Sequence, residues 1–480
     1  MEKPQGELPQ IIQGGMGVGV SSWQLARAVS SAGGLGVVSG TALDLVLARR
    51  LQDGDEGGSM RRALEAFPVP AMAQRVLDRY FQPDGRTTDG MTRRPYRPVP
   101  KLTLRQTTEQ QELAVVANFA EVWLAKEGHD GVVGVNYLEK VQMATPSAAL
   151  GAVLAGVDYV LMGAGLPREI PRLLDDLAAG RVGGVGVDVQ GADYPHRVEV
   201  DPRVLLGDAL PDLRRPRFLA IVSANVLAAY LARDEATRPD GFVVEGHRAG
   251  GHNAPPRGKV VLDDHDEPVY GPRDDVDLEK LAALGIPFWL AGGQCTPAHL
   301  AEARSNGAAG VQVGTLFALA EESGLTPYLR NKLLGEVLDG TLEVRTNAMA
   351  SPTGFPFKVA RVVDTLSDPT VYAERQRLCD LSYLRTPYQT PDGDVGYRCP
   401  GEPTRMYVRK GGDVADTAGR TCLCNALTSD IGLGQTRRDG YLEPPLVTLG
   451  SDIDGLREVA SIYHDGWTAT DVVTWLSPPA

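Results

Sequence analysis

The sequence predicts an α/β protein, a (β/α)8 TIM barrel with two long insertions and a C-terminal extension. Short apolar runs with the length of buried parallel strands alternate with helical patterns through residues 9–345. Several of these runs end in glycine. The last two lie within residues 285–320 as a strand–helix–strand unit. Their terminal glycines suit a phosphate site, which in this class follows the seventh and eighth strands.

Eight strands are predicted, and each is an apolar run bounded by turn residues. The first contains PQIIQGG and the sixth contains GFVVEG. The predicted strands span residues 9–15, 35–39, 132–138, 158–165, 217–223, 241–246, 287–291 and 310–314.

The helices between these strands are predicted from capping residues and apolar spacing. Ser21 and Ser22 can cap the first helix, and Thr296 with Pro297 can open the helix after the seventh strand. The predicted helices span residues 23–32, 107–126, 147–155, 167–179, 225–233 and 277–284, with a further helix beginning at residue 297.

Two stretches interrupt the alternation and are predicted to be insertions. Residues 50–106 contain helical patches near 60–67 and 69–80, and residues 247–276 have little periodicity. Two short apolar runs between the fourth and fifth strands, RVGGVGVDVQ and HRVEVDP, predict a β excursion outside the barrel.

Composition and charge exclude several classes of function. The chain has 480 residues, 43% hydrophobic and 23% charged, which is typical of a globular enzyme. Its formal net charge of −13 argues against a nucleic-acid or anionic-membrane surface. No signal-peptide segment opens the sequence, and no apolar run approaches the roughly 18 residues of a membrane helix. We therefore expect a cytoplasmic protein acting on a small-molecule substrate; whether it forms a homo-oligomer is left open.

The glycine-rich segment GGMGVG at residues 14–19 differs from a dinucleotide fingerprint. Its spacing is not GxGxxG, and no acidic residue ends a second strand about 20 residues later. We reject a Rossmann site. Glycine breaks also follow the first, fourth and sixth predicted strands, at the catalytic face of a barrel. Together with Gly292–Gly293 and Gly314–Thr315, they predict a phosphate-bearing cofactor, for which FMN fits, although any single glycine is explained by a short turn.

The motifs QGGMGVGVS, AGGLGVVS, GVN at 134–136, AGGH at 249–252, AGG and GVQVGT resemble the FMN-dependent nitronate monooxygenase family, also called 2-nitropropane dioxygenases. The resemblance covers residues 9–330. The same superfamily includes flavin enoyl-acyl-carrier-protein reductases and NADH:quinone reductases, and the motifs separate these members poorly.

The resemblance implies a set of site residues. It assigns His252 as the catalytic histidine and places backbone groups of Gly15 and Met16 against the flavin ring. The whole set of implied cofactor-binding residues is Gln13, Gly14, Gly15, Met16, Asn136, Gly251, Gly292, Gly293, Gly314 and Thr315.

His252 is also a candidate by its position, because it directly follows a glycine pair after the sixth strand. The competing interpretation is a solvated loop histidine. His247 is a second imidazole nearby, and its role is left open. Arg248 and Arg257 are candidates for steering an anionic substrate, although solvated loop arginines are commoner.

Three functions fit these observations. The first is a flavoprotein monooxygenase that oxidises alkyl nitronates with O2. The second is an FMN reductase that uses NAD(P)H to reduce an enoyl thioester or a quinone. The third is a flavin-free barrel acting as a binding subunit. We take the first, an oxidoreductase, as the main hypothesis.

Residues 1–345 are predicted to form the barrel and residues 346–480 a cysteine-containing extension. Clustered thiolates could bind zinc or an iron–sulfur cluster, but the spacing contains no CxxC pair and buried reduced cysteines are the default. No metal ligand is therefore assigned. Four of the five cysteines lie in the extension: Cys379, Cys399, Cys422 and Cys424.

Overall fold

A computed structural model of the protein describes residues 7–88 and 92–478. Eight parallel strands form one sheet, in which each strand pairs with the next along the barrel. The first and second strands also meet: Gln13 donates its N–H to the Leu35 carbonyl, and Leu35 donates to Ile11, both at 2.9 Å. The ring is therefore closed by these bonds, and the predicted barrel class is confirmed. The strands are Ile11–Gln13, Gly36–Ser39, Val133–Leu138, Tyr159–Gly163, Arg217–Val222, Gly241–Glu245, Phe288–Ala291 and Gly310–Val313.

The helices follow the predicted order, with boundaries shifted by a few residues. Ser22 accepts a hydrogen bond from Leu25 at the start of the first helix, and Thr296 caps the helix after the seventh strand in the same way. The helices of the barrel and its insertions are Trp23–Ser31, Leu43–Gln52, Ser59–Glu65, Pro70–Tyr80, Thr108–Lys126, Thr145–Leu154, Ile170–Ala178, Pro202–Leu206, Asn225–Ala232, Leu278–Ala282, Pro297–Ser305, Thr315–Ala318 and Pro327–Leu338.

Large side chains fill the interior of the ring, because alternate residues of each strand point inward. Trp289 is fully buried there, and its indole N–H donates to the Pro9 carbonyl at 2.6 Å. This bond ties the segment before the first strand to the ring interior. The interior cluster is Ile12, Leu35, Val37, Tyr159, Leu161, Leu219, Ile221, Val243, Trp289 and Ala291.

The first insertion begins later than predicted. Leu43–Gln52 is a helix, so residue 50 lies inside it, and the insertion follows. The two helical patches are present as Ser59–Glu65 and Pro70–Tyr80, and a short hairpin pairs Thr87–Thr88 with Thr92–Arg93. The long helix Thr108–Lys126 packs against this insertion and against the first helix of the barrel.

The other two interruptions agree with the sequence. Gly183–Val187 pairs antiparallel with His196–Val200 outside the barrel sheet, as the predicted β excursion requires. Residues 247–276 consist of turns and loops, with isolated bridges from Leu262 to Pro268 and from His252 to Phe357.

The C-terminal extension packs along the barrel. Tyr383 donates to the carboxylate of Asp44 at 2.7 Å, and the indole N–H of Trp467 donates to the Leu316 carbonyl at 2.8 Å. One hairpin, Val344–Asn347 with Phe357–Ala360, begins just before the predicted start of the extension, and a second, Thr386–Gln389 with Val395–Arg398, lies within it. Its helices are Pro369–Glu374, Thr404–Arg409, Leu423–Ser429, Asp454–Ile462 and Ala469–Leu476. No helix among the described residues is both long enough and apolar enough to cross a membrane.

Candidate active site

A deep cleft opens at the carboxyl ends of the barrel strands, where the sequence predicts the cofactor. Its walls combine strand ends of the barrel with residues of the C-terminal extension. The strand ends contribute Gly15, Asn136, His252, Gly292 and Gly314, and the extension contributes Phe357, Tyr383, Leu423, Thr448 and Asp452.

Gln13 supports the floor of the cleft from behind. Its side chain is fully buried, donates to the Ser21 hydroxyl at 2.7 Å and accepts from the Val37 N–H at 2.8 Å. The Ser21 hydroxyl in turn donates to the Gly14 carbonyl at 2.8 Å and accepts from the Met16 N–H at 2.9 Å. Gln13 therefore fixes the shape of the glycine loop, and its own amide faces away from the cleft.

Gly15 and Asn136 are in close contact on this floor. The Asn136 amide donates to the Gly15 carbonyl at 3.0 Å. A Cβ atom on Gly15 would lie 2.3 Å from the Cβ of Asn136, so only glycine fits here. The Oδ1 atom of Asn136 is buried and has no hydrogen-bond partner within the described residues.

Four residues with unused backbone N–H groups line the other end of the cleft. Gly292 and Gly293 have positive φ angles of 88° and 74°, a backbone conformation that favours glycine at both positions. Gly314 and Thr315 end the eighth strand opposite them. Within residues 7–88 and 92–478, no hydrogen bond uses these four N–H groups. They are free donors of the kind that hold a phosphate.

A segment of the extension, residues 448–452, crosses this end of the cleft. Gly450 donates its N–H to the Thr315 hydroxyl at 2.9 Å, and Gly251 donates its N–H to the Thr448 hydroxyl at 2.7 Å. The Gly251 N–H is thus already used by the chain. Asp452 accepts from the Cys295 thiol at 3.3 Å, and its carboxylate lies 3.3 Å from the point where a Cβ of Gly293 would stand. A negative charge therefore borders the phosphate end.

Two buried side-chain oxygens of the cleft lack a hydrogen-bond donor among the described residues, and this bears on whether FMN fits. Asn136 Oδ1 and Gln312 Oε1 belong to residues that line it, and neither has a partner within the described part of the chain. A buried acceptor without a donor is destabilising. The ring N–H and the ribityl hydroxyls of FMN are donors that would satisfy such oxygens, so the residues present fit the cofactor. Gln312 was not predicted, although it is the one polar residue in the apolar strand GVQV.

His252 lies at the edge of the cleft between the barrel and the extension. Its Nε2 atom is 2.7 Å from the Ser351 hydroxyl, and its ring packs edge-on against Phe357 with centroids 4.9 Å apart. Burial, together with the positive charge of Lys140, lowers the pKa of His252 to about 3. The imidazole is therefore neutral throughout the physiological pH range.

Glu245 ends the sixth strand and lines the same cleft. Burial raises the pKa of its carboxyl to about 7, so this group exchanges a proton near neutral pH. Sequence analysis missed Glu245, although an acidic residue closing the apolar run GFVVE was the available signal. Lys140 lies near His252, with its ammonium 3.4 Å from the Phe355 ring centroid, and burial lowers its pKa to about 8.

His247 and Arg257 lie in a neighbouring pocket beside residues of the second insertion. The His247 ring stacks on Tyr270 with centroids 4.6 Å apart and planes 9° apart. Arg257 donates to the Ser223 carbonyl at 2.8 Å. Glu245 and His252 line both cavities, whereas Arg248 lines only the main cleft.

The sequence was compared with known families and proteins. The family model described as "Nitronate monooxygenase" matches residues 213–352, which include Glu245, His252, Gly292 and Gly314. A curated relative from Mycobacterium tuberculosis (strain ATCC 25618 / H37Rv) is 30% identical over 229 residues, covering 44% of this chain and 60% of the relative. A relative from Rhodococcus jostii (strain RHA1) is 28% identical over 167 residues, covering 33% of this chain and 43% of the relative. Both are named (3aS,4S,5R,7aS)-5-hydroxy-7a-methyl-1-oxo-octahydro-1H-indene-4-carboxyl-CoA dehydrogenase.

Similar solved structures are more distant in sequence. FabK from Thermotoga maritima has a TM-score of 0.49 at 16% identity, covering 98% of this chain and 91% of that chain. A nitroalkane oxidase from Streptomyces ansochromogenes has a TM-score of 0.46 at 14% identity, covering 98% and 94%. The matched family model and both curated relatives carry the names of oxidoreductases, and this chain spans 60% and 43% of the lengths of the two relatives. The resemblance to the nitronate monooxygenase family indicated by the sequence motifs is confirmed, with residues 213–352 matching that family's model.

Proposed function

We propose that the protein is an FMN-dependent oxidoreductase that oxidises alkyl nitronates with O2. The observation that carries the proposal is a glycine-lined cleft at the strand ends, with free backbone donors at its far end and the His252 imidazole at its edge. When bound, FMN supplies the redox chemistry, taking electrons from the substrate and passing them to O2.

In this proposal the cofactor is held mainly by backbone. Its phosphate is bound by the N–H groups of Gly292, Gly293, Gly314 and Thr315. Gly15 and Met16 lie against the ring, and the two unsatisfied oxygens of Asn136 and Gln312 accept from its donors. Glycine at these positions lets the backbone approach the cofactor closely.

His252 is proposed to hold the anionic substrate rather than to remove a proton from carbon. In this proposal Ser351 accepts from the Thr353 N–H at 3.2 Å and from the Thr353 hydroxyl at 2.8 Å, and it donates its own proton to His252 Nε2 at 2.7 Å. The imidazole then carries its proton on Nδ1, which no described residue uses in a hydrogen bond. A nitronate oxygen can accept from this N–H. Since a nitronate is already deprotonated, a weakly basic imidazole suffices.

A second function, reduction of an enoyl thioester or a quinone with NAD(P)H, is favoured by a separate observation. The carboxyl of Glu245, with its pKa near 7, can give a proton to a reduced substrate. The curated relatives are also named for action on a CoA thioester.

An anaerobic comparison separates these functions. The purified protein is mixed with ethyl nitronate or propionate 3-nitronate, and separately with NADPH or NADH, while flavin absorbance is followed. Bleaching by nitronates with little effect of NAD(P)H is expected. Rapid bleaching by NAD(P)H alone supports the reductase, and a colourless protein that binds no added FMN contradicts both. The variant His252→Ala is expected to keep its flavin and lose nitronate turnover.

A further inference from the structure

A second cavity adjoins the proposed active site, and the second insertion builds much of it. Its volume is about 220 Å³, close to the 230 Å³ of the main cleft. We call it the insertion cavity, because its lining includes His247, Asn253, Pro255, Tyr270 and Asp274. The proposed reaction takes place in the main cleft and leaves the insertion cavity without a role.

The two cavities meet at a shared border. Ala164, Ile221, Glu245 and His252 line both of them. A molecule whose reacting end lies against His252 in the main cleft can therefore extend across this border into the insertion cavity. The insertion cavity thus has the position of a subsite for the far end of a longer substrate.

Hydrogen bonds hold the walls of the insertion cavity in place. Tyr270 donates its hydroxyl to the Ala254 carbonyl at 2.9 Å. Arg257 donates from its guanidinium to the Ser223 carbonyl at 2.8 Å and from its backbone N–H to the Asp274 carboxylate at 2.7 Å. Ser223 directly follows the fifth barrel strand. The insertion is therefore tied to the barrel beside the cavity, and the cavity has fixed walls.

Asn253 supplies an unused hydrogen-bond acceptor in this lining. Its side chain is 3% exposed, and its buried Oδ1 atom has no partner among the described residues. Its amide N–H donates to the Ala249 carbonyl at 3.0 Å, which fixes the orientation because the reverse orientation would place two oxygens together. A buried acceptor without a donor is destabilising, so a ligand that brings an O–H group is favoured here.

The charges of the insertion cavity do not favour an anionic ligand end. Arg257 and Asp274 carry opposite charges, and Glu245 adds a second carboxyl at the border. Burial lowers the pKa of His247, so this imidazole is neutral at physiological pH. The described lining therefore has no excess positive charge to pair with a carboxylate.

We propose that the insertion cavity binds the end of the substrate remote from the flavin and selects an uncharged chain that ends in a hydroxyl group. This inference rests on the proposed function and names its substrate class, nitronates with an ω-hydroxyalkyl chain. The nitronate end lies at His252, and the hydroxyl donates to Asn253 Oδ1. Ile221, Leu227 and Phe355, which also line the cavity, contact the apolar part of the chain.

The test uses carboxylates as probes, because a carboxylate is a planar anion that resembles a nitronate but is not oxidised. Calorimetry measures the dissociation constants of ω-hydroxycarboxylates from hydroxybutyrate to hydroxyoctanoate with the purified full chain and added FMN. Each probe is compared with the alkanoate in which a methyl group replaces the hydroxyl, and with the corresponding dicarboxylate. We expect the best hydroxycarboxylate to bind about tenfold more tightly than either counterpart, because only its hydroxyl satisfies Asn253.

Two variants locate this preference in the insertion cavity. Ser223→Phe fills the cavity from the end of the fifth strand, so binding is expected to weaken by a factor that grows with chain length, to about tenfold or more for the best hydroxycarboxylate. Asn253→Leu is expected to abolish the difference between hydroxyl and methyl. The matched control is Ser461→Phe, the same change at an exposed position of the helix Asp454–Ile462, and it should bind every probe as the unaltered protein does.

The comparison in the unaltered protein decides the matter even where a variant does not fold. A hydroxyl that improves binding at no chain length overturns the inference and means that water serves Asn253 equally well. A dicarboxylate that binds most tightly, or a loss in Ser223→Phe that is the same at every length, also overturns it. Binding is measured without turnover, so a protein that shows the expected preference but oxidises no nitronate contradicts the proposed function and supports the role of the cavity.

Discussion

His252 Nε2 and Ser351 Oγ lie 2.7 Å apart and connect the loop after the sixth barrel strand to the C-terminal extension. The two residues are separated by 99 positions in the chain. The histidine is thus positioned by a residue outside the eight strands. The proposed site is therefore built jointly by barrel and extension.

Replacing Ser351 with alanine is expected to lower nitronate turnover about tenfold without loss of flavin, because the imidazole loses the partner that fixes its proton on Nδ1. The control Thr353→Val, which removes only the 2.8 Å contact to the Ser351 hydroxyl, should have a smaller effect. Steady-state kinetics and bound-flavin absorbance check both variants. Equal turnover in Ser351→Ala and the unaltered protein would show that Ser351 does not position His252.

Glu245→Gln is expected to change how stability depends on pH. The folded carboxyl has its pKa raised to about 7 from an ordinary 4.5, so its contribution to stability is complete below pH 4.5 and lost as pH rises through 7. The resulting loss of unfolding free energy is at most about 3 kcal/mol, because each unit of pKa shift corresponds to roughly 1.4 kcal/mol. Glutamine does not ionise, so the free energy of unfolding of the variant, relative to that of the unaltered protein, should increase from pH 5 to pH 8. Denaturant unfolding at several pH values measures this; parallel curves would contradict a buried carboxyl.

Gly314→Asp is expected to weaken FMN binding about 100-fold, since it places a carboxylate among the proposed phosphate donors. A Cβ at residue 314 meets only the side chain of Met16 within 4 Å, with Sδ at 3.6 Å, so the fold should tolerate the change. Gly335→Asp is the control: it adds the same charge where nothing lies within 4 Å of a Cβ, and it should bind FMN normally. Fluorescence titration of the two apoproteins compares them, and full flavin occupancy in Gly314→Asp argues against this phosphate site.

Gly15→Ala is expected to disrupt the floor of the cleft, because its Cβ would stand 2.3 Å from Asn136 Cβ. Gly14→Ala is a matched neighbour, since a Cβ there is 3.5 Å from the nearest atom. We expect Gly15→Ala to lower both the melting temperature and the FMN content, and Gly14→Ala to change the melting temperature much less. Similar melting curves for the two variants would mean that the floor adapts easily.

Asp452→Asn is expected to strengthen FMN binding about tenfold at low salt. The Asp452 carboxylate borders Gly293, where it repels the phosphate, and asparagine removes the charge while keeping the size. The gain should shrink as salt is added. Weaker binding in the variant would indicate that a cation accompanies the phosphate there.

The eight strands could be predicted because each is a short buried run that ends at a turn. The sequence did not reveal the helix Leu43–Gln52 for a local reason. It begins after Ala42, which adopts a left-handed φ of 57° and provides no side-chain cap, and a glycine-rich stretch follows it closely. Because the sequence has no capping residue at its start and no clear stop at its end, the apolar spacing alone did not identify this helix.

The candidate site was predictable on the barrel side only. His252 and the glycines carry recognisable motifs at strand ends. Ser351, Thr448 and Asp452 carry none, and they reach the cleft through loop contacts such as Gly450 with Thr315, which are 135 positions apart. Such long-range contacts leave no periodic pattern.

The last helix of the extension closes over the barrel through Trp475, whose indole N–H donates to the Cys295 carbonyl at 2.9 Å, next to the phosphate donors. That region of the ring thus receives its cover from residues synthesised about 180 positions later. A ribosome-bound chain stopped before residue 475 lacks this cover. We therefore expect it to leave this region of the barrel exposed to solvent and to bind flavin poorly. Chaperone demand during translation should accordingly be high.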